Sequence, residues 1–163
     1  MTDHFRQELM ELLPRLRRFC RALAGDNDRA HDLAQDAVER ALAKEDQWQP
    51  GTRMDSWLYR IAQNLWIDEM RRQKSRGPHQ DIAELEGLTG TDGRRDFESR
   101  TMLQKADLAL ARLPEDQRAT VVLVHVEGFS YRETAKTLGV SEGTVASRLA
   151  RAKIILEQLL RED

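Results

Sequence analysis

The chain has 163 residues, 40% hydrophobic and 33% charged, with one cysteine and a formal net charge of −2. That length holds one ordinary domain or two small ones and excludes a large multidomain enzyme. A single cysteine excludes an internal disulfide and a cysteine-cluster zinc site, and near-neutrality excludes blanket electrostatic capture of duplex DNA, so any nucleic-acid role has to be local or assisted.

No apolar run approaches the about 18 residues needed to span a bilayer, and Met1-Thr2-Asp3-His4-Phe5-Arg6 contains no signal-peptide core. The expectation is a soluble, intracellular protein without membrane contact. Charge is spread unevenly: residues 1–74 balance at zero, 75–99 carry −3 and 100–163 carry +1.

Apolar periodicity is helical from end to end, with no alternating strand pattern, which predicts an all-α fold. In the first stretch Leu9, Leu12, Leu13, Leu16, Phe19, Cys20 and Leu23 recur at threes and fours, Cys20 reads as core, and Pro14 predicts a kink or a new helix. Gly25 ends that stretch. Asp26-Asn27-Asp28 offers N-cap chemistry to a second helix with Ala30, Leu33, Ala34, Ala37, Val38, Ala41 and Leu42 on its apolar face and Asp32, Gln35, Asp36, Glu39 and Arg40 opposite. Beyond the Pro50-Gly51 turn, Asp55 or Ser56 can cap a third helix reaching about Arg72, with Leu58, Ile61, Ala62 and Leu65 as its buried stripe. Three such helices close one small core over residues 1–74.

From 75 to 99 the composition turns acidic and glycine-bearing, with little amphipathic order, and reads as a flexible linker. Two mobile lobes are expected rather than one packed body. The second lobe, 100–163, opens with a helix through Met102, Ala106, Ala109 and Leu110. It restarts at Pro114, suited to a first helical position, and runs through Val121-Val122-Leu123-Val124 to Gly128. Ser130-Tyr131-Arg132-Glu133 has capping-box spacing, Gly139 can take positive φ in the turn Leu138-Gly139-Val140-Ser141, and Ser141 can cap a longer helix. A short capped helix, a glycine turn and a longer helix predict a helix-turn-helix.

In that last helix Val145, Leu149, Ala152 and Leu156 are spaced four, three and four and face inward. Thr144, Ser147, Arg148 and Arg151 are left outward, the residue types that read base edges and phosphates in a major groove. A merely solvated face is the bland alternative, which the preceding capped helix and turn weigh against. On the third helix, Arg60, Asn64, Ile67 and Arg71 share one face, with Gln63 beside them, Trp57 and Tyr59 near the start and Lys74 beyond. Rings interleaved with amides and guanidiniums suit single-stranded nucleic acid and a flipped base. Spacing alone equally allows Trp57, Tyr59 and Trp66 to be core.

Taken together, Ala30-His31-Asp32-Leu33-Ala34-Gln35-Asp36-Ala37, Ser56-Trp57-Leu58-Tyr59-Arg60-Ile61-Ala62-Gln63-Asn64, Gly128-Phe129-Ser130-Tyr131 and Gly143-Thr144-Val145-Ala146-Ser147-Arg148-Leu149-Ala150-Arg151-Ala152 resemble the extracytoplasmic-function (ECF) sigma factors of the sigma-70 family, in matching order and over both lobes. The resemblance implies a cytoplasmic initiation factor without catalytic activity or cofactor. It implies that the first lobe, region 2, binds the β′ clamp of RNA polymerase and the minus-ten element. The second lobe, region 4, is implied to bind the minus-thirty-five element and the β flap. Carried over by position, Asp32, Gln35, Asp36 and Glu39 match the clamp-binding stripe. Trp57, Arg60, Gln63, Asn64, Arg71 and Lys74 match the minus-ten surface, Asn64 at the flipped-base position, and Thr144, Ser147, Arg148 and Arg151 match the minus-thirty-five helix. An anti-sigma partner is implied too. Ala146 stands where many relatives carry Lys or Arg, and Ala150 is smaller than usual, which predicts thinner base readout there or reliance on DNA shape.

Two other classes compete. A stand-alone regulator would use the helix-turn-helix on an operator and bind duplex without polymerase. An enzyme reading starts from His31-Asp32, which superficially resembles a metal-phosphohydrolase dyad, but His4, His79 and His125 have no ligand spacing to complete it.

Overall fold

The computed structural model describes residues 3–76 and 102–161, and the regular structure among them is helical. The first lobe comprises α1 (Asp3–Ala24), α2 (Asn27–Ala43), a 3-10 turn (Glu45–Gln47) and α3 (Met54–Arg76). The second comprises α4 (Met102–Ala111), α5 (Glu115–Val121), which runs on into a π-helical turn (Val122–Val126), α6 (Tyr131–Leu138) and α7 (Glu142–Arg161). The sequence-read linker over 75–99 lies outside the described residues from 77 onward; Ser75 and Arg76 belong to α3, which is about a turn longer than expected.

α1 runs through Pro14 as one helix, so of the two outcomes expected there, a kink or a new helix, no new helix begins. Pro14 and Met10 are both exposed, so the Met10 carbonyl that loses its intrahelical donor lies on the solvent side of the helix, where water can replace it. The inward stripe is Phe5, Leu9, Leu16, Phe19 and Leu23. Gly25 closes the helix at φ +83, and Asp26 caps α2 by accepting the Arg29 N–H at 2.8 Å. Leu58, Tyr59, Ala62 and Trp66 of α3 complete the core, with the Phe19 and Tyr59 ring centroids 4.8 Å apart. Neither Asp55 nor Ser56 precedes α3. Asp55 sits inside its first turn, buried, where its carboxylate accepts the Ser56 N–H at 2.7 Å, a placement the helix dipole favours.

The second lobe has a small core of Leu113, Val121, Ala135, Val145, Leu149 and Ala152. Pro114 caps α5 one residue ahead of the expected position, its carbonyl accepting from the Arg118 N–H at 2.9 Å. The capping box at α6 is complete: the Ser130 hydroxyl accepts the Glu133 N–H and the Glu133 carboxylate accepts the Ser130 N–H, both at 3.0 Å. Gly139 ends α6 at φ +70, a conformation only glycine adopts without strain, and Ser141 caps α7 through the Thr144 N–H at 3.1 Å.

In the described structure the two lobes lie packed against each other. Ala119, Leu123, Phe129 and Leu138 of the second lobe are buried in the same apolar cluster as the first-lobe core. α5 packs on α1 and α6 on α3. Phe129 lies 5.8 Å from Tyr59 between ring centroids, and its burial contributes roughly 1.5–3 kcal/mol of transfer free energy.

Candidate polymerase and promoter interfaces

α2 buries Ala30, Leu33, Ala34, Ala37 and Ala41 against the first core and turns Asp32, Gln35, Asp36 and Glu39 outward, all four exposed. The helical period thus segregates an anionic stripe from the apolar one. His31 and Asp32 stand exposed on this helix, and no group of three His, Cys, Asp or Glu side chains able to hold a metal occurs among the described residues.

On α3, Arg60, Asn64, Arg71 and Lys74 are exposed along one face. Trp57 is half-buried, edge-on to Phe5 at 6.1 Å between centroids, so its ring is held rigidly at the surface. Tyr59 and Trp66, which spacing left open, are core. Burial and the neighbouring Glu127 carboxylate push the Tyr59 phenol well above its ordinary pKa. Gln63 is half-buried with its Oε1 shielded from water and without a hydrogen-bond donor, an acceptor that a nearby ligand donor would satisfy.

The four outward residues of α7 are unequal. Thr144 is half-buried and tied to Ser141, the two hydroxyl oxygens 3.0 Å apart, while the Ser147 hydroxyl donates back to the Gly143 carbonyl at 3.0 Å. Arg148 is half-buried with its Nε 3.5 Å from the Asp116 carboxylate. Arg151 is exposed and makes no hydrogen bond or ion pair among the described residues. Ala146 and Ala150 share the outer surface.

Sequence reasoning missed the charged cluster between the lobes. Asp55 accepts from Arg15 at 2.9 Å and from Arg53 at 3.0 and 3.2 Å. Burial opposes ionisation there, but these guanidiniums and the Ser56 N–H outweigh it and hold the carboxyl below its ordinary pKa. Glu127 accepts from Arg15 at 2.7 Å and Arg18 at 3.2 Å. Burial would lower the Arg15 pKa, yet its hydrogen bonds to Glu127 and Asp55 raise it on balance. Arg118, buried, donates to the Ala22, Leu23, Ala111 and Leu113 carbonyls. The one local signal was Arg118 itself, a charge heading the apolar run from Ala119.

The family model described as Sigma-70 region 2 matches residues 9–76, and that described as Sigma-70, region 4 matches residues 103–156. The chain is 35% identical over 163 residues, all of it and 88% of the relative, to the ECF RNA polymerase sigma factor EcfG of Rhodopseudomonas palustris. It is 37% identical over 147 residues, 89% of this chain and 71% of the relative, to the ECF RNA polymerase sigma factor SigM of Mycobacterium tuberculosis. Among solved structures it resembles the sigma factor RpoE in complex with the anti-sigma factor NepR from Bartonella quintana, at TM-score 0.76 and 31% identity over 99% of each chain. Two regions matched in order, a relative spanning the whole chain and a shared fold make this chain a member of the ECF RNA polymerase sigma factors of the sigma-70 family.

Proposed function

We propose that this sigma factor acts in the cytoplasm, binds the β′ clamp through Asp32, Gln35, Asp36 and Glu39, and captures the opened minus-ten strand on Trp57, Arg60, Gln63, Asn64, Arg71 and Lys74. In the same reading Thr144, Ser147, Arg148 and Arg151 face the minus-thirty-five element, residues 1–74 and 100–163 are the two functional domains, and the second also meets the β flap. The role is recognition rather than catalysis, and an anti-sigma protein regulates it, as one binds the structurally similar RpoE.

The observation that carries the reading is the segregation of surfaces. An acidic stripe on α2 and a cationic, amide-bearing face on α3 lie on one rigid core, and a helix-turn-helix presents Arg151 to solvent. A near-neutral chain of this kind gains its promoter affinity from the polymerase assembly and supplies the reading surfaces.

Charge reversal at the α2 stripe tests it. Asp32→Lys with Asp36→Lys leaves the core untouched, because both side chains are exposed. Affinity for core polymerase, followed by co-elution or fluorescence titration, is expected to fall by about tenfold or more. Equal affinity of variant and parent would remove the clamp assignment.

A further inference from the structure

We infer that Ser75, in the last turn of α3, is a phosphorylation site for an arginine-directed serine kinase, and that phosphate there switches off the cationic face of α3. The inference rests on the reading of α3 as the minus-ten surface and adds to it a control that acts on this chain directly.

The sequence sets the site. Arg71-Arg72-Gln73-Lys74-Ser75-Arg76 places four cations and no acid around one hydroxyl, with guanidiniums three and four residues ahead of it. A kinase that selects such a serine lines its peptide groove with carboxylates, because planar guanidiniums pair with them through two parallel hydrogen bonds. Ser56 also follows an arginine by three residues, but it is half-buried in the first turn of α3, with its N–H bound to Asp55.

The structure makes Ser75 reachable. α3 is fixed to the core through Leu58, Tyr59, Ala62 and Trp66, and Met70 is the last of its residues packed there. Beyond it Arg71, Arg72, Lys74, Ser75 and Arg76 are exposed, and the Ser75 hydroxyl donates to the Arg72 carbonyl at 2.8 Å. A turn without apolar support is marginal by itself, so it unwinds readily into the extended form that a kinase groove takes. In the transfer Ser75 Oγ attacks the γ-phosphorus of ATP. The new P–O bond forms as the bond to the β,γ-bridging oxygen breaks, ADP leaves with that electron pair, and the hydroxyl proton passes to a carboxylate of the kinase.

The product rearranges the charges of this end of α3. Phosphoserine brings about two negative charges and three acceptor oxygens. Residues three and four apart are neighbours on a helix, so the phosphate reaches Arg72 and Arg71. Arg72 has one weak competitor, Glu69 at 3.4 Å, in a pair exposed on both sides. At a helix C-terminus the dipole repels an anion, which makes the guanidiniums its necessary partners. Arg71 is thereby withdrawn from the promoter strand, and the phosphates of that strand meet a like charge beside Lys74.

The test uses the full chain in two stages. The catalytic domain of calmodulin-dependent kinase II, which is arginine-directed, serves with ATP as the probe, and mass spectrometry locates the phosphate. Ser75 is expected to be modified in the folded chain, and Ser75→Ala to take up none. Next, the chain carrying phosphoserine at 75, introduced during translation, is compared with the parent and Ser75→Ala by circular dichroism, by titration with core polymerase, and by transcription from fragmented genomic DNA at several salt concentrations.

Polymerase affinity is expected to stay within about twofold, because the α2 stripe is untouched, while transcription falls about tenfold. The slope of log transcription against log salt should become shallower by about 1.4, two cations lost at about 0.7 each for a single strand. Ser75→Ala should transcribe as the parent does. A change of fold alone would not move that slope.

Phosphate on Ser56 or elsewhere but not on Ser75 would overturn the site. Unchanged transcription and salt slope with phosphoserine at 75, or a tenfold loss of polymerase affinity in that chain, would overturn its action on the cationic face of α3. Modification of Ser75 in a parent that neither binds polymerase nor supports transcription would instead overturn the sigma-factor reading and leave the modification site standing.

Discussion

Arg151 and Arg148 show how unequal two arginines on one recognition helix can be. Arg148 already has an anionic neighbour in Asp116, whereas Arg151 is uncommitted and exposed. With Ala146 and Ala150 contributing no polar group to the same surface, the proposed promoter reading concentrates base discrimination on Arg151. Arg151→Ala is expected to lower transcription from the cognate promoter by about 1–3 kcal/mol of lost discrimination, with polymerase binding unchanged. Transcription from templates differing only in the minus-thirty-five element checks this; an unaltered preference would count against the assignment. Asp55 offers a second residue-level outcome. Its depressed native pKa contributes stability that is complete above the unfolded-state value of about 3.9 and fades as pH falls through the native value. Asp55→Asn should therefore be less stable at pH 7, by about 2 kcal/mol given the partial exposure of Arg53, and should lose less between pH 5 and 3 than the parent. Urea denaturation across that range reads both effects, and parallel curves for the two proteins would refute the account. Cys20 remains inert, its thiol pushed up to about 12 by burial.

At the scale of elements, what the sequence makes legible is what neighbours in the chain decide. Ser130, Glu133, Gly139 and Ser141 specify the ends of α6 and α7 through contacts within three or four residues, and the inward stripe of Val145, Leu149 and Ala152 follows from period alone. Ser130→Ala should cost about 1 kcal/mol, measurable as a lowered thermal midpoint of the full chain. No change would mean that Arg53, and not the capping box, holds Glu133 in place. The misreadings arise where the solvent side or a distant partner decides. Pro14 was expected to kink α1 or start a new helix, but its exposed position lets one helix continue through it. Asp55 resembled a cap, but Arg15 and Arg53 draw it into the first turn of α3. Tyr59 and Trp66 could not be told from stacking platforms by spacing, because a helix face can be covered by a helix about fifty residues away in sequence, as Glu115 covers Trp66.

For the whole molecule, the family and the order of its two regions were legible because motifs at four separate places each agreed with the resemblance, and two region models and a relative matched over the whole chain support it. The arrangement of the lobes was not legible. Phe129 and Leu123 read equally well as second-lobe core, and no local pattern shows that they join Phe19 and Tyr59 instead. Arg15 similarly reads as a surface charge until Asp55 and Glu127 are both brought to it.

The measurement that bears most directly on the central claim is transcription in vitro from fragmented genomic DNA by bacterial core polymerase supplied with this chain, with the RNA 5′ ends sequenced. The account predicts discrete start sites, absent without the chain, preceded by a shared pair of upstream elements; alignment of those sites then defines the promoter. No start sites, together with duplex binding by the folded chain alone, would contradict it and identify a stand-alone DNA-binding regulator.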